Sequence, residues 1–568
     1  MDGKEKKDLL IILFGTLLVL IYFLITRILV LQFQTVIPNS YEYFQLLYWG
    51  GFILVLTPLI FFYPRSSTKI KWVSVMVFVA LILFSYPLLA SYNHIYNRDV
   101  LYNYQVASLY LENEHLVYDG ATGLAEQYIK YPGVPLLHAL TSLLTGVDLE
   151  IIYLFLLPLI RLLLVPTILY LVLSQFGLSK ELSILGIFIY FSSFSLKIHI
   201  HNETLAVIFL FLIIYLYLNE NIKSRWLLMG LFFFLILLIH HFTFYILLLG
   251  LFLLIVLNTY KNKRALIIYS IIGLIGVGII SFIPTINNSF KFYLNIIINS
   301  IKTILDKGLF EEINLLLSYS NGINFNYLEI SLLLISLGIL FTFLIWSIKE
   351  VSHFCQKHRT IIITSYIITI ITFPFCLTRE YFIPMRIFEL TLIGLLPALL
   401  ISYKEIACKK SIMTAVLLIL LFIGGNLLIP GGQQRVLYND QTITHNPANG
   451  IELFYYFPTI FNDLENGYVL SDLQIFDIYG GFLNQKIYYY PLDFVKEIFK
   501  ADEITTKELL QLKNYGYSYI VLHKYMLTNI NDLTGEVMTQ NQYQKWDEKK
   551  GINKIYNLGG IVEIYYLN

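Results

Sequence analysis

Charge is what this chain has least of. Asp, Glu, Lys and Arg supply 14% of its 568 residues, against roughly 25% in soluble domains, which argues against an ordinary cytosolic enzyme. Net charge is scarcer still, because 39 basic residues face 38 acidic ones for a formal +1. A nucleic-acid binder needs a basic footprint that is missing here, so nucleic acid is excluded as a partner. Cysteine is nearly absent. Cys355, Cys376 and Cys408 stand apart without CxxC or CxxH spacing, which speaks against a disulfide framework or a zinc site. No repeat of solenoid period and no low-complexity segment is present.

What fills the chain is apolar: 57% of residues are hydrophobic, 16% are aromatic, and the mean hydropathy is +0.68. Disorder needs the opposite composition. Apolar runs of about 18 or more residues are read as membrane-spanning helices. Thirteen are predicted, near 9–31, 45–63, 72–92, 150–176, 181–198, 203–219, 226–239, 242–258, 265–286, 328–347, 360–377, 385–402 and 411–429. The first follows MDGKEKKD without a small-residue cleavage site, and reads as an uncleaved span rather than a signal peptide. The expected fold is an α-helical multi-pass membrane protein of about 13 spans over residues 1–430, with a small C-terminal α/β domain over 431–568.

Lys and Arg in the short loops set the orientation. With the N-terminus cytoplasmic, every inner loop carries a positive charge, among them Arg65, Lys180, Arg225, Lys349, Lys357, Arg359 and Lys404. The outer face then receives a large loop at 93–149, the turns at 199–202, 240–241 and 378–384, and the whole tail. Residues 431–568 sum to −5 and the first 430 to +6, as expected for an anchored membrane half and an acidic extracytoplasmic domain. Within the tail, strands are predicted at Tyr468-Val-Leu-Ser, Lys486-Ile-Tyr-Tyr-Tyr, Tyr517-Ser-Tyr-Ile-Val-Leu-His and Ile561-Val-Glu-Ile-Tyr-Tyr, with helix around 492–514.

Four outward groups carry candidate chemistry. Asn97-Arg98-Asp99 follows the third span, where a charged pair near lipid is costly unless hydrated or paired. Asp99 there reads either as a helix cap or as a general base or metal-binding carboxylate. The acids and imidazole farther along (Glu112, Glu114, His115, Asp119) read as solvated loop residues. In Lys130-Tyr-Pro-Gly-Val-Pro-Leu-Leu-His138, two prolines three apart break any preceding helix, and Leu136–Leu144 resembles an interfacial helix. His199, His201, Asn202 and Glu203 gather at the next outer turn. Glu203 there caps a helix or, with His201, binds a divalent ion. His240 and His241 join that site or mark a wet hairpin. Arg379, Glu380 and Arg386 bracket Tyr381-Phe-Ile-Pro-Met. Arginine forks suit phosphate oxygens, and the alternative is an intramembrane pair with Glu380 or Glu389.

With these residues in view, the layout resembles the GT-C superfamily of integral-membrane glycosyltransferases, which use polyprenyl-phosphate-linked sugars. The resemblance rests on Arg98-Asp99 in a large outer loop, on Lys130-Tyr-Pro-Gly-Val-Pro-Leu, on the outer-edge acid of His201-Asn202-Glu203, and on a many-span half with an outward tail. It is closer to the protein mannosyltransferase and aminoarabinose transferase-like branch, because the tail has Phe476-Asp-Ile-Tyr-Gly480 where oligosaccharyltransferases have Trp-Trp-Asp-Tyr-Gly. The large loop also follows the third span instead of the first, which requires an extra N-terminal hairpin.

The resemblance implies catalytic roles for Asp99 and Glu203, donor-phosphate contacts for Arg379 or Arg386, and a divalent Mg or Mn ion near His201 and Glu203. The implied partners are a polyprenyl-phosphate sugar donor, a protein, lipid or glycan acceptor, and membrane lipids, in glycosylation of the cell envelope. A transporter or flippase of a polar lipid or sugar, or a non-catalytic scaffold, is the alternative. The transporter reading is opposed by the lack of a repeat and by ionisable residues collecting at one face.

Overall fold

A computed structural model describes residues 3–33, 40–60, 66–89, 98–116, 129, 131–192, 202–259, 327–372, 382–409, 411–426, 468–471, 493–527, 538–547, 549, 551–558 and 562–567, with 291, 295, 298 and 302 singly. The chain is mostly helical and divides into two compact units. One comprises residues 1–26, 39–89 and 155–433, and the other 27–38, 90–154 and 434–568.

The first unit is built from apolar helices: α1 (Gly3–Phe33), α2 (Ser40–Ile60), α3 (Thr68–Leu89), and α6 (Leu149–Gln175), which begins in the other unit. It continues through α7 (Lys180–Ser192), α8 (Asn202–Leu218), α9 (Arg225–Ile239), α10 (His241–Thr259), α11 (Tyr327–Ser347), α12 (Gln356–Thr372), α13 (Phe382–Lys409) and α14 (Ser411–Asn426). Twelve of the thirteen apolar runs coincide with these helices, and the run at 265–286 lies outside the described residues. Among the described residues, five helical stretches are long and apolar enough to cross a membrane: Gly3–Ile25, Thr68–Ser85, Leu149–Gln175, His241–Thr259 and Arg386–Glu405.

Leu10, Leu13, Phe14, Leu17 and Leu24 are all more than half exposed on α1. Their spacing of three and four residues makes one helical face, which a water-soluble helix would make polar. Ile151, Phe155, Leu159 and Leu163 repeat the pattern on α6. Such faces suit a hydrocarbon surround.

The opposite faces pack. Phe78 lies 5.3 Å from both Phe188 and Phe422, and 6.0 Å from Phe52, tying α3 to α7, α14 and α2. Interhelical hydroxyls add Ser74 Oγ to the Val55 carbonyl (2.5 Å), Ser336 Oγ to the Leu420 carbonyl (2.6 Å) and Thr369 to Thr391 (2.8 Å). Between α1 and α2 the backbones themselves touch. A Cβ on Gly15 would sit 2.6 Å from the Gly51 carbonyl, and one on Gly51 would sit 2.7 Å from the Gly15 carbonyl. Small residues allow this approach where lipid supplies no hydrophobic drive between helices.

In the second unit, the stretch predicted as an outer loop holds two helices, α4 (Arg98–Asn113) and α5 (Gly133–Thr145). Pro132 occupies the N-cap of α5 and Pro135 its first turn, where no intrahelical donor is lost. The prolines therefore start a helix as well as ending what precedes it. α5 buries Val134, His138, Ala139 and Ser142 while exposing Leu140, Leu143 and Leu144. At 13 residues it is too short to span a bilayer.

The tail carries a four-stranded sheet in the order β1 (Tyr468–Leu470), β2 (Tyr517–His523), β4 (Val562–Leu567), β3 (Ile552–Leu558). β1 and β2 are parallel, and the connection between them contains α15 (Asp493–Lys500) and α16 (Thr506–Asn514), as a parallel crossover requires. β4 runs antiparallel to both neighbours. β3 was not predicted, and the predicted strand at 486–490 lies outside the described residues.

A core of Phe499, Leu512, Ile520, Leu522, Trp546 and Tyr565 fills the sheet face. Beside it, the Lys545 ammonium donates to the carbonyls of Ile498 (2.5 Å), Phe499 (3.1 Å) and Ala501 (2.5 Å), closing the C-terminus of α15. Burial pulls the Lys545 pKa down to about 8. α16 begins with a capping box. Glu508 N–H donates to Thr505 Oγ1 at 3.2 Å, and Thr505 N–H donates to Glu508 Oε2 at 2.6 Å. That second bond holds the Glu508 carboxyl below its ordinary pKa.

Two outcomes follow. Gly51→Leu is expected to cost about 1–3 kcal/mol by overpacking, read as a lowered midpoint of thermal unfolding in detergent; an unchanged midpoint would refute the α1–α2 contact. Glu508→Ala is expected to speed amide exchange across 506–514 at pH 7. Its folded-state pKa is depressed, so the stabilisation is present above pH 4.5 and lost as pH falls through that lower value. The gap between variant and parent should close in acid.

Candidate functional site

Three helix starts meet in the first unit. Asn202 and Glu203 open α8, His241 opens α10, and Arg386 lies one turn into α13. Arg386 Nε is 3.3 Å from Glu203 Oε2, with side-chain exposures of 18% and 7%. Arg386 also acts electrostatically on the His241 ring. Two segments predicted separately, 183 positions apart in sequence, thus form one ion pair. The alternative pairing of Arg386 with Glu389 is corrected, because Glu389 is held by Arg161.

His240 has a local task. Its Nδ1 accepts from the Thr243 N–H at 3.3 Å and lies 2.8 Å from Thr243 Oγ1, capping α10 across the turn from α9.

Deeper along α13 lies a buried triad. Arg161 Nη2 donates to Glu389 Oε1 at 2.5 Å, and Tyr190 OH donates to the same oxygen at 2.8 Å. Arg161 is 2% exposed, Glu389 3% and Tyr190 0%. The triad joins α6, α7 and α13. The expectation that ionisable residues keep to one face is therefore corrected. Its sequence signal was present, since Arg161 is the one Asp, Glu, Lys or Arg in the apolar stretch 151–176 and an ionisable residue inside a span is a functional candidate by default.

Below the ion pair, an apolar cleft opens between α8, α9, α10, α12 and α13. It begins at Leu390 on α13, Leu210 on α8 and Ile246 on α10. At 1.5 Å per residue these lie roughly 6–11 Å along the helices from Arg386, Glu203 and His241. Its wall is hydrocarbon apart from a few groups such as Thr364, Ser365 and Thr391. Thr364 Oγ1 is buried without a hydrogen-bond partner.

The far ends of these helices carry the basic loops. Lys357 pairs with Glu220 at 2.5 Å and Lys349 with Glu405 at 2.8 Å. α8 is 17 residues long, about 25 Å. Arg386 and Glu405 thus lie toward opposite ends of α13, and Glu203 and Glu220 at opposite ends of α8.

The remaining candidates are placed less fully. Arg98 and Asp99 form the first turn of α4, and their side chains lie outside the described residues, as do Lys130, His199, His201 and Arg379. Glu112, Glu114 and His115 are exposed around the end of α4. His138 is fully buried, with Nδ1 2.9 Å from the Val134 carbonyl and its ring stacked 3.9 Å from Tyr153. Burial lowers its pKa to about 3, so it is a neutral core residue.

Among the described residues, no three His, Cys, Asp or Glu side chains assemble as a metal group. Glu203, one of the two proposed ligands, already faces a guanidinium. The other, His201, lies outside the described residues. No family model matches the chain, and no curated protein matches its sequence.

Removing one partner of a buried ion pair strands the other charge, at a cost of roughly 3–5 kcal/mol. Arg161→Leu is expected to destabilise by about that amount in detergent unfolding. Arg161→Leu with Glu389→Leu should recover most of the loss, and a double variant as unstable as the single one would contradict the pairing.

Proposed function

We propose that this chain is a membrane glycosyltransferase of the GT-C kind, moving a sugar from a polyprenyl-phosphate donor to an acceptor hydroxyl at the outer membrane face. The observation that carries the reading is the Arg386–Glu203 pair at the head of an apolar cleft. Such a site offers a guanidinium to a phosphate and hydrocarbon to the chain attached to it. The exposed leucine faces of α1 and α6 favour a membrane setting, and the grouping of basic loops at the other helix ends favours the N-terminus inside.

In this mechanism the lipid-linked sugar enters laterally between helices. Arg386, aided by Arg379, holds the phosphate by charge-assisted hydrogen bonds. Asp99 takes the proton of the acceptor hydroxyl as its oxygen bonds to the anomeric carbon. The bond from that carbon to the phosphate oxygen breaks, and the released lipid phosphate keeps the electron pair against Arg386. Glu203 orients the guanidinium. α5, with its exposed leucines, rests at the membrane surface, and the acidic tail lies outside.

One observation favours a second reading, a transporter or flippase of a polar lipid or sugar: the Arg161–Glu389 pair is the kind of intramembrane charge that such proteins use.

Proteoliposomes with labelled polyprenyl-phosphate sugars and an acceptor mixture separate the two. Transfer of label to acceptor is expected, with Asp99→Asn abolishing it in folded protein. Arg386→Gln should raise the donor KM by roughly ten- to a hundredfold, the worth of a hydrogen bond to a charged group. Full transfer by Asp99→Asn removes the Asp99 role. Movement of label across the bilayer without transfer establishes the transporter instead.

A further inference from the structure

α13 carries opposite charges three residues apart, Arg386 and Glu389. On a helix such residues are neighbours, with Cβ atoms about 5–6 Å apart, and ordinarily pair with each other. Here they are drawn to different helices. Arg386 reaches Glu203 on α8 at 3.3 Å, while Glu389 is taken by Arg161 on α6 at 2.5 Å and by Tyr190 on α7 at 2.8 Å. Arg161 cannot relieve its burial by losing a proton, so its hold on Glu389 is permanent under ordinary conditions.

We propose that Arg161 and Tyr190 are positioning residues that sequester the Glu389 carboxylate, and thereby keep Arg386 available to the phosphate of a lipid. Glu203, Arg386, Glu389 and Arg161 together sum to zero charge. Without Arg161 they sum to −1, and the freed carboxylate lies one turn from the guanidinium that must attract an anion. A guanidinium flanked by two carboxylates is a poor phosphate ligand. The triad thus sets the affinity of a site it does not touch, and the inference rests on the reading of Arg386 as the phosphate ligand.

The test measures binding of dodecyl phosphate, with inorganic phosphate as a second arm, to the full chain in detergent by calorimetry. Arg161→Gln is expected to weaken dodecyl phosphate binding at least fivefold. Arg161→Gln with Glu389→Gln removes the competing charge and should bind within twofold of the parent. Arg161→Lys keeps the charge and should do the same. A purely structural role removes stability and not affinity, and predicts parent-like binding per folded molecule in every variant. An Arg161→Gln variant that binds normally once folded, or a double variant no better than the single one, overturns the proposal.

If Arg161→Gln does not fold, the double variant alone decides. Binding within twofold supports the proposal, and a loss above fivefold overturns it. Arg386→Gln separates the underlying reading, because parent-like binding by that variant removes Arg386 from the site and this inference with it. Equal affinity for inorganic and dodecyl phosphate would assign a free phosphate, and tighter binding of dodecyl phosphate a lipid one.

Discussion

A guanidinium carries its charge into whatever surrounds it. Arg161, at 2% exposure among apolar helices, is met there by Glu389 and Tyr190. Desolvating two such ions costs several kcal/mol each, and attraction offsets that only with good geometry and further hydrogen bonds. This requirement fixes the level at which α6, α7 and α13 meet, since a shift of one turn along any of them would move a charge about 5 Å from its partner. The aromatic contacts around Phe78 and the glycine contact between α1 and α2 are adjustable by comparison, because dispersion tolerates small slides.

Several other charged groups among the described residues sit toward the helix ends. Glu203 and His241 occupy helix starts, where an acid also meets the positive end of the dipole, and Arg386 lies one turn into its helix. The cleft below is almost wholly hydrocarbon, and the exposed pairs Lys357–Glu220 and Lys349–Glu405 close the other end. Those surface pairs add little stability, but they mark which helix ends lie together. A head group and a chain are offered different solvents along one path, which is the arrangement an amphiphile requires.

Much of this was legible in the sequence. Helix positions followed from hydropathy, because a run of apolar residues long enough to span leaves few other structures open. Glu203 and Arg386 were visible as charges misplaced at apolar helix starts, although nothing local could show that they pair. Arg161 was missed because attention to helix ends passes over a single charge within a run, and its partner Glu389 lies 228 positions away. β3 was missed because Ile552-Asn-Lys-Ile-Tyr-Asn-Leu mixes polar residues into a strand whose pairing with β4 does the work. Within 93–149 the apolar stretch of α5 was legible as an interfacial helix at Leu136–Leu144, whereas α4 was hidden because it is amphipathic rather than apolar. The roles of Asp99 and Arg379 rest on sequence alone.

The pairing of charges has an electrical consequence. An energised membrane acts on net charge, at about 2.3 kcal/mol per elementary charge moved through 100 mV. Arg161 with Glu389, and Arg386 with Glu203, each present the field with a dipole and no monopole. These two pairs therefore feel almost no net force from the membrane potential. Under the proposed reading an incoming phosphate adds a charge that neither pair offsets, and sensitivity to voltage would rise on binding.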